Sequence, residues 1–207
     1  MTSMCPRATA GRPGLRERKK VQTRQAIRKA AYRLFAEDGY DATPVDRIAA
    51  EADVSPSTVF RYFPTKEDIV LTDEYDDGML DALRNRPAGE PPLDALRAVM
   101  HETLTMVLAD PDECAELVQR QLLVRDVPAI RGRSLETMTA TGRLLGAVVA
   151  DRTGRSPDDL EIRVFIAAVF GSLHETTMYW AENGLANDAL VPLLNRAFDV
   201  LSDGLHL

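Results

Sequence analysis

Cysteine is scarce in this sequence, and long apolar runs are missing from it. The 207 residues contain only Cys5 and Cys114, which lie far apart, so a disulfide scaffold is excluded and a reducing cytoplasm is the expected location. No segment reaches the roughly 18 consecutive apolar residues that a membrane span needs. The basic N-terminus has no apolar stretch behind it, so no secretory signal is predicted. With 45% hydrophobic residues, the composition is that of an ordinary globular protein.

Motifs that carry catalysis or bind cofactors are also missing. The sequence has no glycine-rich phosphate loop, no His-Glu-x-x-His zinc motif and no convincing pair of nucleophile and base. Cys114 is a conceivable redox or metal sensor, but one thiol without neighbouring Cys or His residues is weak support for that role. The chain is therefore not expected to be an enzyme, and no catalytic residue, metal site or cofactor is predicted.

The sequence shows no alternating strand pattern of useful length, whereas helix signals recur along it. Residues 16–38 contain neither Gly nor Pro and place apolar residues at helical spacing, so a helix is predicted that ends at Gly39. Capping residues followed by proline or acids predict three short helices that start at Thr43, Ser55 and Thr65. The third is expected to continue outward over 67–86. Five further helices complete an all-α fold of about nine, at 93–109, 112–125, 130–152, 157–183 and 188–203.

Positive charge is concentrated in the N-terminal third of the chain. Residues 1–66 hold 13 lysines and arginines against 7 acids, a net charge of +6, and residues 67–207 hold 12 against 25, a net charge of −13. Residues 1–15 combine prolines, glycines and arginines, which predicts a disordered basic arm. This asymmetry of charge favours a basic module that binds nucleic acid, joined to an acidic body that binds something else. The alternative is that both parts are solvated surfaces of an ordinary protein, which would give the same numbers of charged residues.

The helices predicted at 45–52 and 56–62 form a helix-turn-helix. The segment between them has room only for a tight turn, in which Asp53 is expected to be left-handed. A small apolar core is formed by residues at helical spacing, namely Val45, Ile48, Ala49, Val54 and Val59. The outer side of the second helix, which fits the major groove of B-DNA, is left with Ser55, Ser57, Thr58, Arg61 and Tyr62.

Residues 23–71 resemble the DNA-binding domain of the TetR family of bacterial transcriptional regulators. The segment from Ile48 to Ile69 follows that family's signature almost throughout, and Ala30 to Gly39 matches the end of its first helix. Asp53 departs from the pattern, because the family usually has glycine there. The resemblance implies an all-α homodimer with a three-helix DNA-binding head, at 16–66, and a larger ligand-binding and dimerisation body, at 67–207. It further implies repression at a palindromic operator and release by a small-molecule effector.

The resemblance also implies roles for individual residues of the head. Phosphate contacts are expected from Thr43, Tyr62 and Lys66, and groove contacts from Ser57, Thr58 and Arg61, with Ser55 at the helix start. Arg47 is a further candidate for contact with DNA. Arg61 is the strongest candidate for reading a base, because a guanidinium can donate two hydrogen bonds to guanine.

The body is expected to provide a dimer face and an effector pocket. The segment Val164–Phe170 is apolar on every side of a helix, so every face of this helix is expected to be buried. Together with the apolar stripe of 188–203 it predicts a four-helix interface between two subunits, although burial within one subunit is the alternative. The pocket candidates are polar or aromatic residues on otherwise apolar helices: His101, Arg125, His174, Glu175, Tyr179 and Trp180.

Two functional hypotheses stay open at this point. The first is a repressor that a small molecule releases from DNA. The second is an effector-independent helical DNA-binding protein that acts architecturally or through a protein partner. They differ in whether the body contains a closed apolar cavity.

Overall fold

A computed structural model describes residues 15–72, 75–184, 186 and 189–205 of the chain. Within these ranges the protein is helical and has no strand, which confirms the all-α prediction. The predicted basic arm lies outside the described residues, apart from Leu15. The described residues form ten helices: α1 (Leu15–Asp38), α2 (Val45–Glu51), α3 (Pro56–Tyr62), α4 (Lys66–Leu71), α5 (Tyr75–Arg84), α6 (Pro92–Ala109), α7 (Pro111–Asp126), α8 (Pro128–Thr153), α9 (Leu160–Glu182) and α10 (Leu190–Ser202).

The helices belong to two compact units, one that ends at Pro64 and one that begins at Thr65. In the first unit α2 packs on both α1 and α3. Its core is apolar and its members are buried, among them Ile27, Leu34, Ile48, Val59 and Phe63.

Local turn chemistry in the first unit follows the sequence signals closely. α1 is followed by Gly39 at φ +88°, a left-handed conformation that glycine adopts without strain, and its N–H donates to the Phe35 carbonyl at 3.1 Å. Asp53 adopts φ +54° in the turn between α2 and α3, as predicted. An aspartate tolerates this conformation better than most residues with a side chain do.

Three of the predicted helix boundaries are wrong, and one of them is the start expected at 157, because α9 begins at Leu160. Thr43 does not cap α2, because the helix begins at Val45 and its N-cap position is Pro44, which offers no side-chain hydrogen bond. The helix expected over 67–86 is interrupted, since α4 ends at Leu71 and Thr72 is extended at φ −90° and ψ 121°. The break makes ten helices instead of about nine.

In the second unit, α9 packs against α8 and α10, and α6 packs on α10. Their buried apolar side chains form one cluster, which includes Leu96, Val99, Leu145, Val149, Ile162, Ile166, Val169, Leu194 and Phe198. Trp180 is buried as well, and its indole Nε1 donates to the Ala186 carbonyl at 3.1 Å. In the part of the chain described, no helix combines the length and the apolar character that crossing a bilayer requires.

Close packing of α8 on α9 depends on a missing side chain. A Cβ atom at Gly142 would lie 3.2 Å from the Ile166 Cγ2 atom, tighter than ordinary van der Waals contact. On the same helix, a Cβ atom at Gly132 would meet nothing within 4 Å.

Gly142→Val should therefore destabilise the protein by about 1–3 kcal/mol, because the added methyl groups overpack a core that cannot expand freely. Gly132→Ala is the matched control, and the gain in helix propensity should stabilise it by about 0.5–1 kcal/mol. Urea denaturation of the full chain measures both changes. Equal stability of Gly142→Val and the wild-type protein would contradict the packing described.

Candidate DNA-binding surface and body cavity

The start of α3 is held by a hydroxyl cap. Ser55 Oγ accepts a hydrogen bond from the Thr58 backbone N–H at 3.1 Å, and Pro56 occupies the first helical position. The Ser55 hydroxyl also lies 2.9 Å from the hydroxyls of Ser57 and of Thr58. Ser55 is thus the cap that the sequence predicts, and its hydroxyl lies within hydrogen-bond distance of the Ser57 and Thr58 hydroxyls.

The exposed face of α3 carries Ser57, Phe60 and Arg61, whereas Val59 is buried. Thr58 and Tyr62 are half-buried, so they present only part of their side chains. The Arg61 guanidinium carbon lies 5.3 Å from the centre of the Tyr62 ring, a distance at which cation and ring attract each other.

Phe60 is a surface residue that sequence reasoning missed. Its side chain is 50% exposed, although a phenylalanine in a short helix is usually expected in the core. A usable signal existed, because Phe60 is three residues after Ser57 and therefore on the same helix face. An exposed ring beside Arg61 can make apolar contact with a thymine methyl group.

The position of Thr43 does not fit the phosphate contact predicted for it. The residue is fully buried, and its hydroxyl donates to the Gly39 carbonyl at 2.8 Å. Because the hydroxyl is buried and bonded within the protein, it stabilises the turn that joins α1 to α2 and does not reach DNA. Arg47 is about half exposed and forms an ion pair with Asp38 at 2.7 Å, which spans the same turn.

α4 begins in the second unit with a complete capping box. Thr65 Oγ1 accepts from the Asp68 backbone N–H at 3.2 Å, and Asp68 Oδ2 accepts from the Thr65 N–H at 3.0 Å. Lys66 is the first residue of this helix and is half-buried. Only Phe63, Pro64 and Thr65 separate α4 from α3 along the chain.

A long-range ion pair ties this cap to α8. Arg133 Nε donates to Asp68 Oδ1 at 2.9 Å, and Arg133 Nη1 donates to Glu136 Oε2 at 2.6 Å. The hydrogen bond to Asp68, followed by the one to Glu136, raises the pKa of Arg133 above its ordinary value. The Asp68 carboxylate is buried, so its two oxygens serve the cap and the ion pair together.

The second unit contains a cavity of about 230 Å³ between α6, α7, α9 and α10, with α5 at one side. Its wall is largely apolar and consists of Met79, Met100, Leu104, Val107, Leu117, Phe170, Leu173, Leu190 and Leu194. The polar part of the lining comprises Thr103, Thr176, Thr177, Glu113, Glu116 and Arg120.

None of the six predicted pocket residues lines this cavity. Trp180 is buried as a packing residue, and Arg125 donates from Nε and Nη2 to the two carboxylate oxygens of Asp126, at 2.6 and 2.7 Å. His101 and His174 are half-buried elsewhere on α6 and α9. The six residues were predicted as polar or aromatic side chains on apolar helices, whereas the wall of this cavity consists mostly of leucines, methionines and threonines.

Glu175 and Tyr179 lie instead in an open groove between α9 and α10. From α9 the groove is lined by Ala168, Gly171, Ser172, Glu175, Thr176 and Tyr179, and from α10 and the residues after it by Leu193, Arg196, Ala197, Val200, Leu201 and Leu205. Large apolar side chains remain exposed here, with Tyr179 at 54% and Leu205 at 64%. Val164, one turn before Ala168 on α9, is 57% exposed.

Cys114 is buried on α7, and burial raises the pKa of its thiol. A buried thiol of raised pKa is a poor nucleophile and a poor redox sensor. Within the described ranges, His, Cys, Asp and Glu residues form no cluster of three or more able to hold a metal ion.

Comparison with known proteins identifies both parts of the chain. Residues 27–72 match the family model for bacterial regulatory proteins of the tetR family, and residues 90–206 match the model for the MftR C-terminal domain. The chain is 34% identical over 206 residues to the HTH-type transcriptional regulator TcmR of Streptomyces glaucescens, which covers 97% of this chain and 90% of TcmR.

Two further similarities concern fatty acid regulators. The chain is 26% identical to the fatty acid metabolism regulator protein of Bacillus subtilis, across 86% of this chain and 92% of that protein. The crystal structure of FadR from Bacillus subtilis in complex with stearoyl-CoA superimposes with a TM-score of 0.60 at 23% identity, and covers 88% of this chain and 99% of that one. The fold is therefore shared. On the family models and the similarity to TcmR, this chain belongs to the TetR family of bacterial transcriptional regulators and is a DNA-binding regulator.

Proposed function

We propose that this regulator is a homodimeric, cytoplasmic repressor, which leaves a palindromic operator when a small molecule occupies the body cavity. In this proposal residues 16–66 bind DNA and residues 67–207 bind the effector and the second subunit. The observation that carries it is the cavity of about 230 Å³ in the body, because a pocket with a largely apolar wall and a few polar groups is the usual form of a small-molecule site.

The dimer is supported by the α9–α10 groove. Its apolar side chains are exposed on the single chain, and such a patch on a helix pair is typical of a subunit interface. A twofold dimer places the two α3 helices so that each reads one half of a palindrome.

We propose that α4 couples the binding of a ligand in the cavity to the position of the DNA-binding helix α3. α7 lines the cavity and packs on both α4 and α8, while the ion pair between Asp68 and Arg133 holds α4 to α8. A ligand that displaces α7 therefore changes the surroundings of α4. Since α4 follows α3 after three residues, this displacement is proposed to alter the position of α3.

The fold is known to accept a small molecule in one related protein, because the Bacillus subtilis FadR structure contains stearoyl-CoA. The cavity of about 230 Å³ is smaller than the roughly 300–1,000 Å³ of typical ligand pockets. We propose that the effector is compact, or that the cavity widens when the effector binds.

A reporter experiment tests the proposal. The operator is first selected from random duplexes with the purified protein and placed before a reporter gene in a heterologous host. Wild-type protein should repress the reporter, and some members of a small-molecule library should restore expression. Leu117→Trp, which fills the cavity from α7, should still repress but should respond at least about tenfold less to those compounds.

Leu144→Trp is the matched control, because Leu144 is 54% exposed on α8 and does not line the cavity. This variant should respond as the wild-type protein does. If the wild-type protein does not repress, or if the compounds act equally on Leu117→Trp, the proposed function is wrong.

A further inference from the structure

The α9–α10 groove contains one acid and one base. Glu175 reaches it from α9 and Arg196 reaches it from α10, and both residues are exposed on the single chain. The other residues that line the groove are uncharged, so its formal charge is zero. The body around it is acidic, with 25 acids against 12 bases over residues 67–207. The groove is therefore a neutral surface through which two acidic bodies can meet without strong repulsion.

The two charges stand inside the groove and not beyond its ends. The lining runs from Ala168 to Tyr179 on α9, and from Leu193 to Leu205 on α10 and the residues after it. A partner that covers the groove takes both charges out of water. A charge that loses its hydration without gaining an opposite charge is strongly destabilising, so each needs a partner in the assembled state.

The single chain does not supply those partners among the residues that the structure describes. Glu175 and Arg196 line one groove, yet no ion pair joins them to each other or to a third side chain in the described ranges. Asp199, on the same helix as Arg196, is by contrast paired with Arg97 of α6. The charges of the groove are thus left for a molecule that docks there.

A second copy of the chain presents the matching charges. In a twofold interface a contact between two different residues occurs twice, once in each direction. A surface that carries one acid and one base can therefore be complementary to its own copy, whereas a surface with charges of one sign repels its copy.

Resting on the proposed dimer, we infer that Glu175 of each subunit pairs with Arg196 of the partner subunit, and that these two ion pairs select which chains assemble. They favour a second copy of this chain over a related helical regulator whose groove lacks this order of charges, because a mismatched partner leaves like or unpaired charges in the interface.

Charge reversal tests the pairing in the full chain. Glu175→Arg and Arg196→Glu each bring two like-charge contacts into the homodimer, so each should raise the dissociation constant at least about tenfold. A mixture of the two single variants should form a mixed dimer about as readily as the wild-type protein forms its own. The double variant, Glu175→Arg with Arg196→Glu, should dimerise again. Sedimentation velocity measures these changes, and circular dichroism checks that each variant is folded.

Co-expression of two differently tagged chains separates pairing between subunits from pairing within one. Two tagged wild-type chains should assort at random, so that mixed dimers make up about half of the total. When one of the chains is the double variant, mixed dimers should fall to about a tenth or less, because acid meets acid and base meets base. Native mass spectrometry counts the three kinds of dimer. An acid and a base that pair within their own chain would leave the assortment random.

Arg143→Glu is the matched control, because Arg143 is exposed on α8 and does not line the groove. This variant should dimerise and mix as the wild-type protein does. Random assortment of the double variant with the wild-type chain would overturn the inference, and so would single variants that dimerise normally. Complementary single variants that form no mixed dimer would overturn it as well, whether or not the double variant folds. All these results leave the proposed dimer standing, which fails, together with the inference, if the wild-type protein is a monomer.

Discussion

Arg61→Ala should weaken binding to the selected operator by about 1–3 kcal/mol and leave the helical content and the thermal midpoint unchanged. Arg61 is exposed on α3, so its removal creates no cavity in the core. Its guanidinium rests against the Tyr62 ring, which orients it before DNA arrives and reduces the entropy lost on binding. The expected loss equals that of one good bidentate contact with guanine.

Fluorescence anisotropy on the operator and on a scrambled duplex distinguishes base reading from general attraction. Arg61→Ala should lose affinity for the operator and much less for the scrambled duplex. Lys66→Ala is the contrasting variant, since a lysine that contacts phosphate should weaken binding to both duplexes and reduce the salt slope by about 1. Operator affinity that is unchanged in Arg61→Ala would refute the role assigned to this residue.

The DNA-binding unit could be predicted from the sequence because local signals define it. Gly39 ends α1, Asp53 makes the left-handed turn, and Ser55 caps α3, all as the sequence indicates. Each of these features depends on residues within four positions of one another. Thr43 misled the prediction because a hydroxyl before proline is a capping pattern, yet this hydroxyl bonds back to the Gly39 carbonyl and leaves α2 uncapped.

The helices of the body were predicted closely, but its cavity and its long-range contacts were not, because they depend on residues that are distant in the sequence. The ion pair between Asp68 and Arg133 joins residues 65 positions apart, and neither residue is unusual where it stands. Leu104 and Leu117 line the cavity, but in the sequence they look the same as leucines of a filled core. The end of α4 at Leu71 could not be predicted, because no glycine or proline stands near it in the sequence.

Ala168→Glu should convert the proposed dimer into a monomer. Ala168 lies in the α9–α10 groove, which Leu193 and Ala197 of α10 also line, and its small side chain leaves room for a helix of a second subunit. In a twofold interface one substitution introduces two carboxylates, and each loses its hydration against an apolar partner surface. The cost is on the order of several kcal/mol, enough to raise the dissociation constant by a factor of 10² or more.

Sedimentation velocity measures this change, and operator binding supplies a second readout. A monomer holds one half-site at a time, so the affinity of Ala168→Glu for the full palindrome should fall towards that for a half-site. Ala140→Glu, an equivalent substitution at an exposed position of α8 outside the groove, should remain dimeric and bind the palindrome as the wild-type protein does. A wild-type protein that sediments as a monomer, or an Ala168→Glu variant that stays dimeric, would show that the groove is not the subunit interface.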